Sequence, residues 1–170
     1  RCIQRAVNDG KDYLEELGVN AIYINPIFAA GEYHKYDLLD YYHIDPCFGT
    51  NEEFALLVDV YHTHGIKVII DGVFNHVGRG FWAFQDVLHN RENSRYKDWF
   101  HIDFHGNSNY NDGFWYEGWE GHYELVKLKL WNNEVIEHIF SCIKGWVEEF
   151  DIDGLRLDVA YCLDKEFLKR

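Results

Sequence analysis

Residues 66–70, IKVII, form a nearly continuous apolar run closed by Gly65 on one side and Asp71-Gly72 on the other. A strand with one wet face alternates polar and apolar residues. A run without that alternation is covered on both faces, which is the habit of strands in parallel sheets. Parallel neighbours cannot be joined by hairpins and need long crossovers, usually helices. The flanking chain must therefore supply helices, and it does.

Upstream, Ile3, Ala6, Val7, Tyr13, Leu14 and Leu17 recur at helical spacing and Gly18 is placed to end that helix. NAIYINPIF then reads as a short buried strand stopped at Pro26, followed by a polar, aromatic loop over 29–49. Thr50 and Glu53 are spaced as a capping box, and Phe54, Leu57, Val58 and Tyr61 form the stripe of the next helix. A third helix, capped by Asn132 or Asn133, places Ile136, Ile139, Phe140, Ile143, Val147 and Phe150 on one face. It feeds a strand in DIDGLRLDVA. The order predicts an α/β fold with right-handed crossovers. Between His76 and this helix lies an insertion, 77–131, rich in Trp, Tyr, Asn, Gly and His and without clear periodicity. Such a length in a compact domain points to a functional loop or a small subdomain.

A chain of 170 residues fits one ordinary domain. Its 29 acidic against 16 basic residues, with no basic stripe, argue against a nucleic-acid or anionic-membrane surface. No apolar run reaches membrane-spanning length. Cys2, Cys47, Cys142 and Cys162 lack metal-like spacing and are expected to be reduced and mostly buried. Aromatics reach 18% and many lie in polar stretches, where flat apolar faces suit sugar rings as well as packing.

Each strand ends in a polar cluster: Asn25, then YHKYDLLDYYHIDP; DGVFNH; and RLD. Ligands in parallel α/β folds bind at the carboxyl ends of the strands, so Asp71, Arg156 and Asp158 are expected to converge on one rim. Arg156 and Asp158 are two residues apart and share a strand face. Glycosidic cleavage uses such a pair: a carboxylate nucleophile must stay ionised, and a guanidinium beside it lowers its pKa and orients it. A second, protonated carboxyl group must act as acid. The plainer reading, an ion pair that only holds layers together, stands beside this one, as do turn and surface roles for Asn75, His76, His34 and Tyr36.

Taken together, DGVFNH and GLRLDVA resemble the first and second signature regions of the alpha-amylase family of glycoside hydrolases. HKYDLLDYYHIDPCFGT is similar to the loop after that family's second barrel strand. YKDWFHI is similar to the small domain B of its neopullulanase and cyclomaltodextrinase branch. The combined spacing is specific: Asp, three residues, Asn-His, and Arg-x-Asp beginning 80 residues past that His.

The resemblance implies part of a (β/α)₈ barrel running from helix 1 to helix 4, with a domain B-type insertion after barrel strand three. Segments 1–76 and 132–170 would be barrel and 77–131 the insertion, in one truncated catalytic domain. It implies Asp158 as the nucleophile of a retaining mechanism, through a covalent β-glucosyl intermediate, and Arg156 as its positioning arginine. His76, Tyr36, His34 and Asp71 become residues of the sugar site, with Asp71 supporting Arg156 from behind. It implies no required cofactor. Asn75 matches a position that binds calcium in many amylases, a metal that is not universal in this branch and is left unassigned. The substrate expected is an α-glucan oligosaccharide, handled by a cytoplasmic enzyme whose oligomeric state the sequence does not signal.

Two departures accompany the resemblance. The family's acid, a Glu after barrel strand five, and an Asp after strand seven fall beyond Arg170, so this chain alone is expected to be inactive and to leave strand edges uncovered. Glu117, Glu120 and Glu124 are read as solvated loop charges rather than substitutes. After the nucleophile, Tyr161-Cys162 stands where many alpha-amylases carry Lys-His on the acceptor side, leaving substrate and the balance of hydrolysis and transglycosylation open. Other readings are an α-glucan transglycosylase, an α-1,6-acting enzyme, a non-catalytic relative of the kind found in amino-acid transporter heavy chains, and a metal-dependent hydrolase using NHVG with His101 and His105. The last lacks paired-ligand spacing.

Overall fold

The amino-terminal segment is helical but not uniformly so, in a computed structural model that describes residues 2–170. α1 (Cys2–Arg5) and α2 (Lys11–Glu16) are joined by a π-helical turn, Ala6–Gly10. Ile3 is buried and Ala6, Val7 and Leu14 pack against the core, whereas Tyr13 and Leu17 are exposed. β1 (Ala21–Ile24) follows, and α3 (Asn51–Thr63) begins at the capping box that the sequence signals. The Thr50 hydroxyl accepts from the Glu53 amide, and the Glu53 carboxylate accepts from the Thr50 amide. All four expected stripe residues, Phe54, Leu57, Val58 and Tyr61, are buried. Gly65, at φ +71°, then turns the chain into β2 (Lys67–Gly72).

The insertion opens with β3 (His76–Gly78) and α4 (Trp82–Asn90), a helix whose stripe is Ala83, Phe84 and Val87. It continues through β4 (Ile102–Asp103), β5 (Trp115–Tyr116), β6 (Gly118–Trp119) and β7 (His122–Lys127). β6 and β3 flank β7 antiparallel, and β4 pairs with β5. This is a small folded unit rather than a loop. α5 (Asn133–Phe150) is capped by Asn132, whose side chain accepts from the Glu134 and Val135 amides. Its seam runs Val135, Ile139, Cys142, Trp146 and Phe150, and the expected Val147 is exposed instead. Val147 lies about 100° around the helix from Trp146, off the seam. β8 (Gly154–Leu157) and α6 (Lys165–Lys169) end the chain.

β1, β2 and β8 form one parallel sheet in that order, with Tyr23 opposite Ile69 and Asp71 opposite Arg156. Val68 and Ile70 are buried, and Ile22, Ile24, Leu155 and Leu157 pack against the same core. Alternation puts Tyr23, Ile69, Asp71 and Arg156 on the other face. β1 is less buried than the sequence suggests, because it is an edge strand with one open face; β8 is the other edge. The thiols correct a second expectation: all four are free, but only Cys142 is buried and Cys2 and Cys47 are exposed. Burial pushes the Cys142 thiol up to about 11.

Candidate active site

At the carboxyl ends of β2 and β8, one guanidinium nitrogen ties two carboxylates together. Arg156 Nη1 donates to Asp158 Oδ1 at 2.8 Å and to Asp71 Oδ1 and Oδ2 at 3.1 and 3.0 Å. Register brings this about, since Asp71 and Arg156 are paired across the ladder and the Asp158 amide bonds Gly72 O at 3.1 Å. Asp71 also accepts from two tyrosines, Tyr23 at 2.5 Å and Tyr36 at 3.2 Å. Its side chain is wholly buried, so it sits behind the site rather than in it. Asp71 is therefore not among the residues a sugar would touch.

Asp158 faces a pocket of about 260 Å³ that it shares with His34, Tyr36, His76, Trp119 and Val159. The structure thus gathers Asp158, His76, Tyr36 and His34 around one hollow and places Arg156 and Asp71 at its base. Tyr36 is set by its own loop: its amide donates to His34 Nδ1 at 3.0 Å, and the two rings stack with centroids 6.0 Å apart. The buried Lys35–Asp45 ion pair, 2.9 Å, anchors that loop from within. Val159 takes φ +41°, a left-handed conformation costly for a β-branched residue, immediately after Asp158. A larger cavity of about 640 Å³ lies between the amino-terminal helix, β1 and α3. Its lining is mainly apolar and holds no carboxylate, so the smaller pocket is the chemical one.

Electrostatics here differ from the expectation at one point. The Asp158 carboxyl is held above its ordinary pKa, first by burial and then by the Asp71 charge, which together outweigh the Arg156 guanidinium. Arg156 divides its charge between two carboxylates and so cannot fully offset the burial of one. His76 is pushed down to about 4 by burial, aided by His34, and is neutral at pH 7. Tyr36 is raised, by burial and then by Asp71 and Asp158.

The insertion's acidic residues do not enter the pocket. Glu117 binds Lys127 (2.7 Å), Glu120 accepts from Tyr161 (3.0 Å) and Glu124 pairs with His122 (3.0 Å). Asn75 Oδ1 is buried without a partner. Calcium, however, takes six to eight oxygens, usually including carboxylates. No group of three or more His, Cys, Asp or Glu side chains suited to a metal occurs among the described residues. No helix among them is long and apolar enough to cross a membrane.

Two residues escaped the sequence reading. Tyr23 reads as strand filling, although it alternates with Ile22 and Ile24 and so takes the face of Asp71. Trp119 lies in the aperiodic insertion and carries no local signal.

Comparison with known proteins adds a second line. A family model described as "Alpha amylase, catalytic domain" matches residues 5–168. The "Intracellular maltogenic amylase" of Bacillus subtilis (strain 168) is 45% identical over 166 residues, covering 97% of this chain and 27% of that protein. "Neopullulanase 2" of Thermoactinomyces vulgaris is 48% identical over 165 residues, covering 96% and 28%. A solved "Cyclomaltodextrinase" superposes with a TM-score of 0.90 at 42% identity, over 97% of this chain and 28% of that one. The chain thus spans a little over a quarter of the length of these relatives.

Proposed function

The chain belongs to the alpha-amylase catalytic-domain family, and from that premise we propose that it forms part of a retaining hydrolase of α-glucosidic bonds in maltodextrins and cyclodextrins. The observation that carries this reading is the Asp71–Arg156–Asp158 chain of hydrogen bonds opening onto a pocket walled by Tyr36 and His76. Asp158 Oδ2 is left free of the guanidinium, which binds Oδ1, and is the oxygen suited to attack an anomeric carbon. Attack forms the carbon–oxygen bond of a β-glucosyl ester as the glycosidic oxygen departs, and water later hydrolyses that ester. Tyr36 offers a ring against the sugar, and neutral His76 offers a hydrogen bond without a competing positive charge.

The departing oxygen needs a proton from a second carboxyl group about 5–5.5 Å from the first in retaining enzymes. Asp158 is the one carboxylate lining the pocket among the described residues, so we place the acid elsewhere in the protein. The segment 77–131 is the domain B-type insertion of a partial (β/α)₈ barrel in this reading, and the enzyme works in the cytoplasm.

The test is turnover of maltodextrin and a cyclodextrin by the full-length protein and its Asp158→Asn variant. The variant should lose at least about 10⁴-fold in kcat, as enzymes do when a covalent nucleophile is removed. A variant that cleaves at the normal rate would remove Asp158 from the role.

A further inference from the structure

Four buried side-chain polar atoms lack a partner among the described residues, and two of them, His76 Nε2 and Trp119 Nε1, belong to neighbouring rings lining the Asp158 pocket. Buried donors and acceptors are almost always satisfied in folded proteins, and an orphan needs an explanation. The Tyr161 hydroxyl interacts with the Trp119 side chain here, but it falls short of hydrogen-bond geometry and is already spent on Glu120; a ligand rich in hydroxyl groups would supply what both rings lack.

Trp119 is firmly placed to meet such a ligand. Its ring sits between those of His76, 6.1 Å away, and His122, 5.7 Å away and nearly parallel. It stands at the tip of the β6–β7 hairpin, where Glu120 adopts φ +48° and Gly121 φ +86° to close the turn. That tip is also fastened across the site: Tyr161, in the turn after Asp158, donates to Glu120 Oε1 at 3.0 Å. The insertion therefore reaches over to the segment carrying the nucleophile and grips it beside the pocket.

We propose that Trp119 is a substrate-contacting residue supplied by the insertion, whose indole N–H donates to a hydroxyl of the sugar beside Asp158, and that the Glu120–Tyr161 hydrogen bond is the latch holding it there. This rests on the α-glucan reading of the same pocket. It adds a specificity element on the side of the site that the insertion closes.

The experiment compares the full-length protein with its Trp119→Phe, Tyr161→Phe and Trp131→Phe variants on maltodextrin, with thermal midpoints measured alongside. Phe keeps an aromatic ring between the two histidines but removes the N–H. Trp119→Phe should lower kcat/KM about three- to tenfold, as expected for one neutral hydrogen bond, with its midpoint unchanged. Tyr161→Phe should lower it in the same direction, chiefly through KM. Trp131→Phe, an exposed ring elsewhere on the insertion, should match wild type. A Trp119→Phe enzyme with wild-type kcat/KM overturns the contact, and so does a loss matched by a falling midpoint, which assigns Trp119 to packing. A wild-type protein inert toward α-glucans overturns the functional reading first, and this inference with it.

Discussion

Arg156 Nη1 binds Asp158 at 2.8 Å while the same nitrogen is held from behind by Asp71, so the orientation of one carboxylate is set by another that is wholly buried. The arrangement explains why a fixed charge interrupts an otherwise apolar strand. It also makes the buried partner the more informative one to remove.

Asp71→Ala leaves Arg156 bound to Asp158 alone and strands the Tyr23 and Tyr36 hydroxyls. Because the guanidinium side chain is 44% exposed, water offsets part of the loss. A destabilisation of about 2 kcal/mol is expected, the cost of leaving buried hydrogen-bonding groups unpaired. Urea unfolding of variant and wild type measures it, and kcat should fall with it as Arg156 loses its support. Asp71→Asn, which still accepts from the tyrosines, should lose less stability.

Asp158→Asn should do the opposite to stability. The folded state raises this carboxyl's pKa, so the fold favours the protonated form and ionisation costs stability as pH rises through the folded value. Asn is neutral at every pH and can still accept from Arg156. The variant should be the more stable protein at pH 7, by about 1 kcal/mol, the usual size of a relieved functional-site strain. That advantage should shrink as the pH falls through the raised folded value and be gone below the ordinary carboxylate range. Thermal midpoints at pH 7 and pH 4 give the comparison; a variant less stable than wild type at pH 7 would contradict it.

Gly78 is where the insertion crosses the loop carrying Tyr36. Its amide donates to Leu38 O at 2.7 Å, and a Cβ there would stand 2.7 Å from the Asp37 carbonyl carbon. Backbone cannot swing aside as a side chain can. Gly78→Ala should therefore cost about 1–3 kcal/mol of overpacking and push the Tyr36 loop outward. Raised KM for maltodextrin, with a lower thermal midpoint, is the expected signature.

What was legible in the chain was what local chemistry controls. The Thr50–Glu53 capping box, a cap at Asn132 or Asn133 and the α3 stripe are short-range features, and the structure holds each of them, with Asn132 as the cap. The strand ends were legible because β2 and β8 each close on a charge that an apolar core would not otherwise hold. The insertion was not, because β4, β5 and β6 are two residues long and exist only through their partners. α4 hid for a related reason: Phe81 caps it without a side-chain hydrogen bond, so no start signal is written there. The pKa of Asp158 was misjudged because pairwise spacing shows Arg156 but not how much water the fold removes.

His76 supplies the pH dependence. Its imidazole drops from an ordinary 6.5 to about 4 in the folded chain because burial disfavours the charged form. The unfolded chain then binds the extra proton between those values, so stability rises with pH across the window. The contribution is fully present above about pH 6.5 and is lost as pH falls toward 4. A shift of this size corresponds to about 3 kcal/mol, at roughly 1.4 kcal/mol per unit. His76→Gln, which cannot take up a proton, should have a thermal midpoint that falls less steeply than wild type between pH 6.5 and 4, whatever its absolute stability. Parallel slopes would mean that the His76 imidazole keeps its ordinary 6.5 in the folded chain, and burial would no longer stand as a force on its protonation.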